Sequence, residues 1–85
     1  MSGMSKAKSS VALKFTVGAG ATTATTNTVT GLTTEDTVIY ILSRVAATGV
    51  PTDRTATSTV VAGGFTSSVT LTGLTWEILW LDNSL

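Results

Sequence analysis

One short pattern occurs twice in this chain, and it constrains the fold more than any other feature. Residues 28–42 read TVTGLTTEDTVIYIL, and residues 70–81 read TLTGLTWEILWL. In each copy a threonine-rich strand end leads through Thr-Gly-Leu-Thr into a strongly apolar strand. The repetition predicts two similar halves that bury their apolar faces against each other, because neither half can do so alone. The alternative is that two threonine-rich strand ends resemble each other through composition only.

The strand pattern predicts an all-β fold, because no segment has helical periodicity of useful length. Apolar and other residues alternate in residues 11–17, as in a half-buried strand. The connection at residues 46–56 holds the only proline and joins two three-stranded meanders. The result is an antiparallel sandwich or small barrel of about six strands, which are predicted at residues 11–17, 27–32, 37–45, 57–61, 65–71 and 76–81.

Two of the predicted strands are the most apolar segments of the chain. In the strand at residues 37–45, alternation places Val38, Tyr40 and Leu42 on one face and Ile39 and Ile41 on the other. Both of these faces are apolar, which predicts a central strand that is covered on both sides. In the last strand, one face carries the row Trp76, Ile78 and Trp80, and the other carries Glu77, Leu79 and Leu81.

The first ten residues differ from the rest of the chain. Residues 1–10, MSGMSKAKSS, are small, polar and mildly basic, which predicts a flexible N-terminal arm, while residues 11–85 are expected to form a single β domain. Lys6 and Lys8 precede an apolar stretch, but Lys14 interrupts it and its alternation is that of a strand rather than of a secretion signal. No apolar run approaches the roughly 20 residues that a transmembrane helix needs.

The composition indicates a protein that works with partners. A chain of 85 residues buries little more than half of its unfolded surface, so its own core provides thin stability. Cysteine and histidine are absent, which removes disulfides and the commonest metal ligands. Only 12% of the residues are charged, and the net charge is zero. A charge-poor, neutral surface favours association, and without a basic face neither nucleic acid nor an anionic membrane is an expected partner.

The sequence contains no recognisable catalytic constellation, and we expect neither an enzyme nor a cofactor. Serine and threonine are abundant, but no histidine is present to activate a hydroxyl group. Glu35 and Asp36 are adjacent in a turn, where acidic residues ordinarily cap backbone N–H groups. Residues 18–20, GAG, lack the spacing and the following helix of a phosphate-binding loop. No metal site is expected.

Four segments carry a resemblance to a known family. They are ALKFT at residues 12–16, VTGLTTEDTV at residues 29–38, DRTA at residues 53–56 and WLD at residues 80–82. In these segments the chain resembles the small accessory capsid proteins of tailed bacteriophages, which are called decoration, cement or head-fibre proteins. The resemblance spans residues 12–82. The chain departs from the family at residues 75–77, TWE, where a Gly-Asp-Thr turn is usual.

The resemblance implies a function at the surface of a virion. Such proteins are β-rich, lie on the outer surface of the mature capsid, are often homotrimers and stabilise contacts between subunits of the major capsid protein. We therefore expect capsid contacts from the basic arm and from threonine-rich strand edges, where backbone groups can pair with a neighbouring sheet. The candidate contact residues are Lys6, Lys8, Thr26, Thr28 and Arg54.

A second function from a different class stays open on the sequence. The chain is alternatively a host- or carbohydrate-binding module of a virion fibre, in which Trp76 and Trp80 form a sugar platform. That function requires the two indole rings to be exposed to solvent. If the rings instead pack between the sheets, as their alternation with Leu79 and Leu81 favours, they are core residues.

Overall fold

The computed structural model describes residues 12–45 and 49–83, and within them it confirms the all-β expectation. Apart from one 3-10 turn at Thr55–Thr57, these residues form only strands and loops, so no described helix is long and apolar enough to cross a membrane. The seven strands are β1 Ala12–Ala19, β2 Asn27–Thr28, β3 Thr37–Arg44, β4 Thr52–Asp53, β5 Ser58–Val61, β6 Gly64–Ser67 and β7 Thr75–Asp82.

The strands form two antiparallel sheets rather than a closed barrel, which confirms the predicted sandwich. The large sheet has the order β1-β7-β3-β4, and the small sheet has the order β2-β6-β5. The six predicted strands are all present, and the seventh, β4, lies inside the predicted connection. Two predicted strands are shorter than expected, because the chain leaves the small sheet after Thr28 and again after Ser67.

The three-stranded meander expected within each half is not observed, although β5 and β6 of the second half do form the expected hairpin. The strand β1 pairs with β7, β2 pairs with β6, and β3 pairs with β7 and β4. The reason is that each repeated unit crosses from the small sheet to the large sheet, so its two strands lie in different layers. Each strand then finds its partner in the equivalent strand of the other unit. The two repeated units are therefore intertwined around an approximate two-fold, which β1 and β5 do not follow, because β1 joins the large sheet and β5 the small sheet.

The repeated Thr-Gly-Leu segment forms the same turn in both halves. The Leu32 N–H donates to the Val29 carbonyl over 3.1 Å, and the Leu74 N–H donates to the Leu71 carbonyl over 2.9 Å. Gly31 has φ +90° and the equivalent Gly73 has φ +81°, a backbone conformation that glycine adopts without strain. The sequence duplication thus corresponds to a duplicated turn that leads into a long strand.

Each turn is held by backbone groups of the opposite half. Gly63, in the β5–β6 loop, accepts from the Val29 N–H at 2.9 Å and donates to the Leu32 carbonyl at 2.8 Å. In the same way, the Ala21 carbonyl accepts from the Leu71 N–H at 3.0 Å, and the Gly20 N–H donates to the Leu74 carbonyl at 2.8 Å. These reciprocal bonds satisfy the backbone of both turns and hold the halves together.

The core lies between the two sheets. The ring of Phe65 meets the Trp76 indole edge to face, with centroids 5.1 Å apart and planes at 82°. The Trp76 Nε1–H donates to the Ala19 carbonyl over 3.0 Å, which satisfies the polar end of that side chain. The fully enclosed apolar side chains are Val29, Leu32, Ile41, Phe65, Leu71, Trp76, Ile78 and Trp80. The predicted facing of β7 is confirmed.

The predicted facing of β3 is wrong, because its regular alternation is interrupted. The register against β7 shifts between Val38, which lies opposite Trp80, and Tyr40, which lies opposite Leu79. Ile39 is the extra residue of this bulge. As a result Val38 packs against the core, while Tyr40 and Leu42 lie on the outer face of the sheet. The prediction that β3 is covered on both sides is also wrong: the described elements cover its inner face only.

Candidate functional site

Strand β1 turns its apolar residues outward. Leu13, Phe15 and Val17 are 61%, 55% and 54% exposed, although the half-buried pattern implied that this row would face the core. The reason lies on the other side of the strand, where the Trp76 indole covers Gly18 so closely that a Cβ there would collide with the ring. Only a residue without a side chain fits under the indole, so the row of β1 that contains Gly18 faces the core. The alternate row, with Leu13, Phe15 and Val17, therefore points outward.

The apolar row of β1 continues across the large sheet. Directly opposite residues of an antiparallel pair lie on the same face, and Leu13 and Phe15 are paired with Leu81 and Leu79. Apart from the 3-10 turn at Thr55–Thr57, every other described element belongs to this sheet or to the small sheet, which covers the opposite side. We call this outer surface the apolar face; it consists of Leu13, Phe15, Val17, Tyr40, Leu42, Leu79 and Leu81.

Two charges on the apolar face neutralise each other. The Arg44 Nε donates to Glu77 Oε1 at 3.1 Å, and both side chains are largely covered. A second guanidinium nitrogen of Arg44 donates to the Gly49 carbonyl at 3.1 Å. The other ion pair of the described chain, Lys14 with Asp82 at 3.9 Å, lies on the inner side of β1 and β7. Asp53 of β4 lies opposite Leu42 on the same side and is exposed. The apolar face is therefore neutral across β1, β7 and β3, and at its β4 edge it has one carboxylate that forms no ion pair with the described residues.

The opposite surface of the molecule is polar. In the small sheet, Asn27 and Phe65 point inward, so their neighbours along the strands point outward. Thr59 and Thr66 are directly paired there, and Thr28 and Thr59 are exposed. We call this surface the threonine face; its members are Thr28, Thr59, Val61 and Thr66. The domain thus has one apolar and one hydroxyl-rich surface.

The predicted capsid-contact residues are not brought together. Lys6 and Lys8 lie outside the described residues. Thr26 and Thr28 are exposed at β2, the edge of the small sheet that lies beside β1. Arg54 is half-buried at the opposite side of the sandwich, where its Nε donates to the Ser43 Oγ of β3 over 2.9 Å.

The two tryptophans are core residues. Trp76 and Trp80 are only 2% and 1% exposed, so neither ring offers the open surface on which a sugar could stack. The Trp80 Nε1–H is buried and has no hydrogen-bond partner among the described residues. It is enclosed by the core and opens onto no cavity, because the described part of the chain contains no pocket.

The acidic residues have structural roles. Asp36 accepts the Thr33 N–H and the Asn83 N–H, both at 2.8 Å, which fastens the end of β7 to the turn before β3. Asp53 accepts the Thr55 N–H at 2.8 Å, and this bond together with the Thr55 side chain lowers the pKa of Asp53. The described residues bring together no group of three potential metal ligands.

Comparison of the chain with family models, curated proteins and solved structures finds no match. The apolar face is therefore defined only by the exposure of its side chains and by the register of the strands. Sequence reasoning missed it because the alternation of β1 was interpreted as facing the core. The signal that could have revealed it is the small residue Gly18 in the other row of β1, which leaves room for a large ring.

Proposed function

We propose that this protein is a non-enzymatic structural component of a phage virion, which binds the outer surface of the mature capsid and stabilises contacts between subunits of the major capsid protein. The observation that best supports a role within an assembly is the apolar face. A small domain that turns three large apolar side chains of one strand toward solvent is built to associate with other proteins. The resemblance in residues 12–82 supplies the kind of assembly in which it acts.

The polar edges of the sandwich are the proposed contacts with the capsid. Strand β2 is an edge strand with exposed threonines, so its free backbone groups are available to a neighbouring sheet. Thr28 and Arg54 lie at opposite edges, which suits a protein that bridges two neighbouring subunits. Lys6 and Lys8 of the predicted arm are the third proposed contact. We further propose that the protein acts as a homotrimer, as the resemblance implies.

The proposed mechanism is mass action on the capsid lattice. A protein that bridges two subunits binds tightly only when their spacing matches the distance between its contacts. If that spacing occurs in the expanded shell, binding lowers the free energy of the mature state and opposes rupture by the packaged DNA. The buried positions of Trp76 and Trp80 remove the feature that supported the carbohydrate-binding alternative.

The test is binding to capsids in two states. The purified protein is mixed with mature heads and with procapsids of the phage that encodes it, and bound protein is measured after sedimentation. We expect saturable binding to mature heads and at least tenfold weaker binding to procapsids, because the bridged spacing differs. Thr28→Lys should weaken head binding, whereas Thr59→Lys, on the same face but in β5, is the matched control. Equal binding to both shells, or none to either, contradicts the proposal.

A further inference from the structure

We infer that the apolar face is the interface between copies of this chain, with the outer faces of their large sheets packed against one another. The inference rests on the proposed function in one respect: it assumes that the apolar face is a contact surface within an assembly. It adds that the partner at this face is a second copy of the chain. Two sheets that pack face to face about 10 Å apart bury alternate side chains of both, and the outward row of β1 supplies such side chains.

The apolar face has the size of the central part of an interface. Eight-residue strands are about 27 Å long, and three neighbouring strands span about 15 Å with their side chains, so the footprint is roughly 400 Å². That is the size of the largest apolar patch on a typical monomer, which is often functional, and about half of what each partner contributes to a standard interface. The remainder is a polar rim, and the expected affinity is modest, about micromolar.

The rest of the printed sequence is poorly suited to cover this face. Residues 1–11, 46–48 and 84–85 lie outside the described part of the chain. Their large apolar side chains are Met1, Met4, Val11 and Leu85, and these are scattered among small and polar residues. None of the three segments has two such residues at the alternate spacing that would match the row on β1. None of these three segments is therefore the expected occupant of the face.

The electrostatics favour a second copy as the occupant. A face that packs against its own copy must not bring like charges together. Arg44 and Glu77 within the face already neutralise each other at 3.1 Å, and Asp53 lies at its β4 edge, in the polar rim. The whole chain has five basic and five acidic residues and a net charge of zero, so copies do not repel each other over long range. Apart from Asp53 at its edge, the face therefore presents no charge that a second copy would repel.

The first test is the mass of the protein in solution. Sedimentation equilibrium at roughly 10–100 μM brackets the expected affinity and should show a dimer or trimer, since both arrangements bury the face. Phe15→Lys should shift the protein to monomer, with at least a tenfold weaker association. Thr59→Lys, which adds the same charge to the threonine face, should leave the mass unchanged. A monomeric wild-type protein, or equal effects of the two substitutions, overturns the inference.

The second test does not depend on tolerance of a charge. The chain has no cysteine, so a single introduced cysteine reports only its own surroundings. Leu13→Cys and Val17→Cys should form disulfide-linked dimers under mild oxidation at least ten times faster than Thr59→Cys. The apolar face and the threonine face are both exposed in the monomer, so random collisions would oxidise all three cysteine variants at similar rates. Similar rates would therefore also overturn the inference.

The two proposals fail separately. Self-association is measured on the purified protein, without any capsid, whereas the proposed function is measured by binding to heads. If the wild-type protein is an oligomer but ignores mature heads, the interface stands and the capsid function falls. If it is a monomer whose head binding is lost with Phe15→Lys but kept with Thr59→Lys, the capsid occupies the apolar face and the self-interface is wrong.

Discussion

At the scale of single residues, a few polar side chains join parts of the chain that are distant in sequence. Asn27 is buried, and its Oδ1 accepts the Ala21 N–H at 2.9 Å while its Nδ2 donates to the Phe65 carbonyl at 3.2 Å. It thereby links β2 to the loop before it and to β6. In a chain without cysteine, such bonds take the place of covalent cross-links. Asp36, in the turn before β3, has the equivalent role at the end of β7, because it accepts the backbone N–H groups of Thr33 and Asn83.

The neighbouring acids Glu35 and Asp36 provide a matched pair for a first prediction. Asp36→Ala removes the acceptor of two backbone N–H groups, those of Thr33 and Asn83, and should lower the free energy of unfolding by about 1–2 kcal/mol. Glu35→Ala should change it by less than about 0.5 kcal/mol, because the contact of Glu35 with Asn83 uses its backbone carbonyl. Urea denaturation measures both values. Equal effects would mean that charge rather than hydrogen bonding matters at this turn.

At the scale of elements, the sequence predicts what depends on local conformation. The turn at Gly73 was predicted, because glycine permits a positive φ, whereas the equivalent Gly31 and Leu32 were assigned to a strand. The positions of β1, β3 and β7 follow from their apolar patterns. The identity of each strand's partner does not, because a period of two specifies a face but not a neighbour. The repeat would have predicted that equivalent strands of the two copies pair with each other only if the two strands of each copy had been assigned to different sheets.

The candidate site was predictable only in part, and for a physical reason. Alternation of Leu13, Phe15 and Val17 correctly separates the two sides of β1, but it does not say which side the core is on. That choice is made by the volume of the Trp76 indole, which leaves space for Gly18 and not for a larger residue. Similarly, the bulge at Ile39 depends on the register against β7, which is not a local property of the strand.

The duplicated turns lead to a prediction for the element itself. Gly31→Ala and Gly73→Ala place a Cβ at positive φ, and neither Cβ would meet an atom closer than 3.8 Å. The cost is therefore backbone strain alone, about 1–2 kcal/mol at each turn and additive in the double variant. Asparagine tolerates this conformation better, so Gly31→Asn and Gly73→Asn should cost less than the alanine variants. Thermal denaturation would contradict the two-fold interpretation if only one of the turns were sensitive.

At the scale of the whole molecule, the two outer surfaces differ in character. The apolar face of the large sheet carries leucine, phenylalanine and valine, whereas the threonine face carries hydroxyl groups that are neither charged nor strongly apolar. In the proposed assembly this asymmetry would orient the domain: the apolar face would turn toward the other copies, and the threonine face and the strand edges would remain available. The two proposed interactions therefore use different parts of the surface and do not compete.

The proposed cementing role leads to a final prediction, for the segment that precedes β1. Removal of residues 1–10 takes away Lys6 and Lys8 but no residue of any described strand, so circular dichroism and the melting temperature should be unchanged. Binding to mature heads should weaken about tenfold or more, because the two cations that we propose as contacts with the shell are lost. Lys6→Ala with Lys8→Ala should reproduce most of this loss, and the same weakening should appear on raising the salt concentration.

Heads that carry the truncated protein, or none, should then release DNA at a lower temperature than complete heads. If all three kinds of head retain DNA to the same temperature, the protein decorates the shell without stabilising it, and the cementing role is wrong even if binding is confirmed.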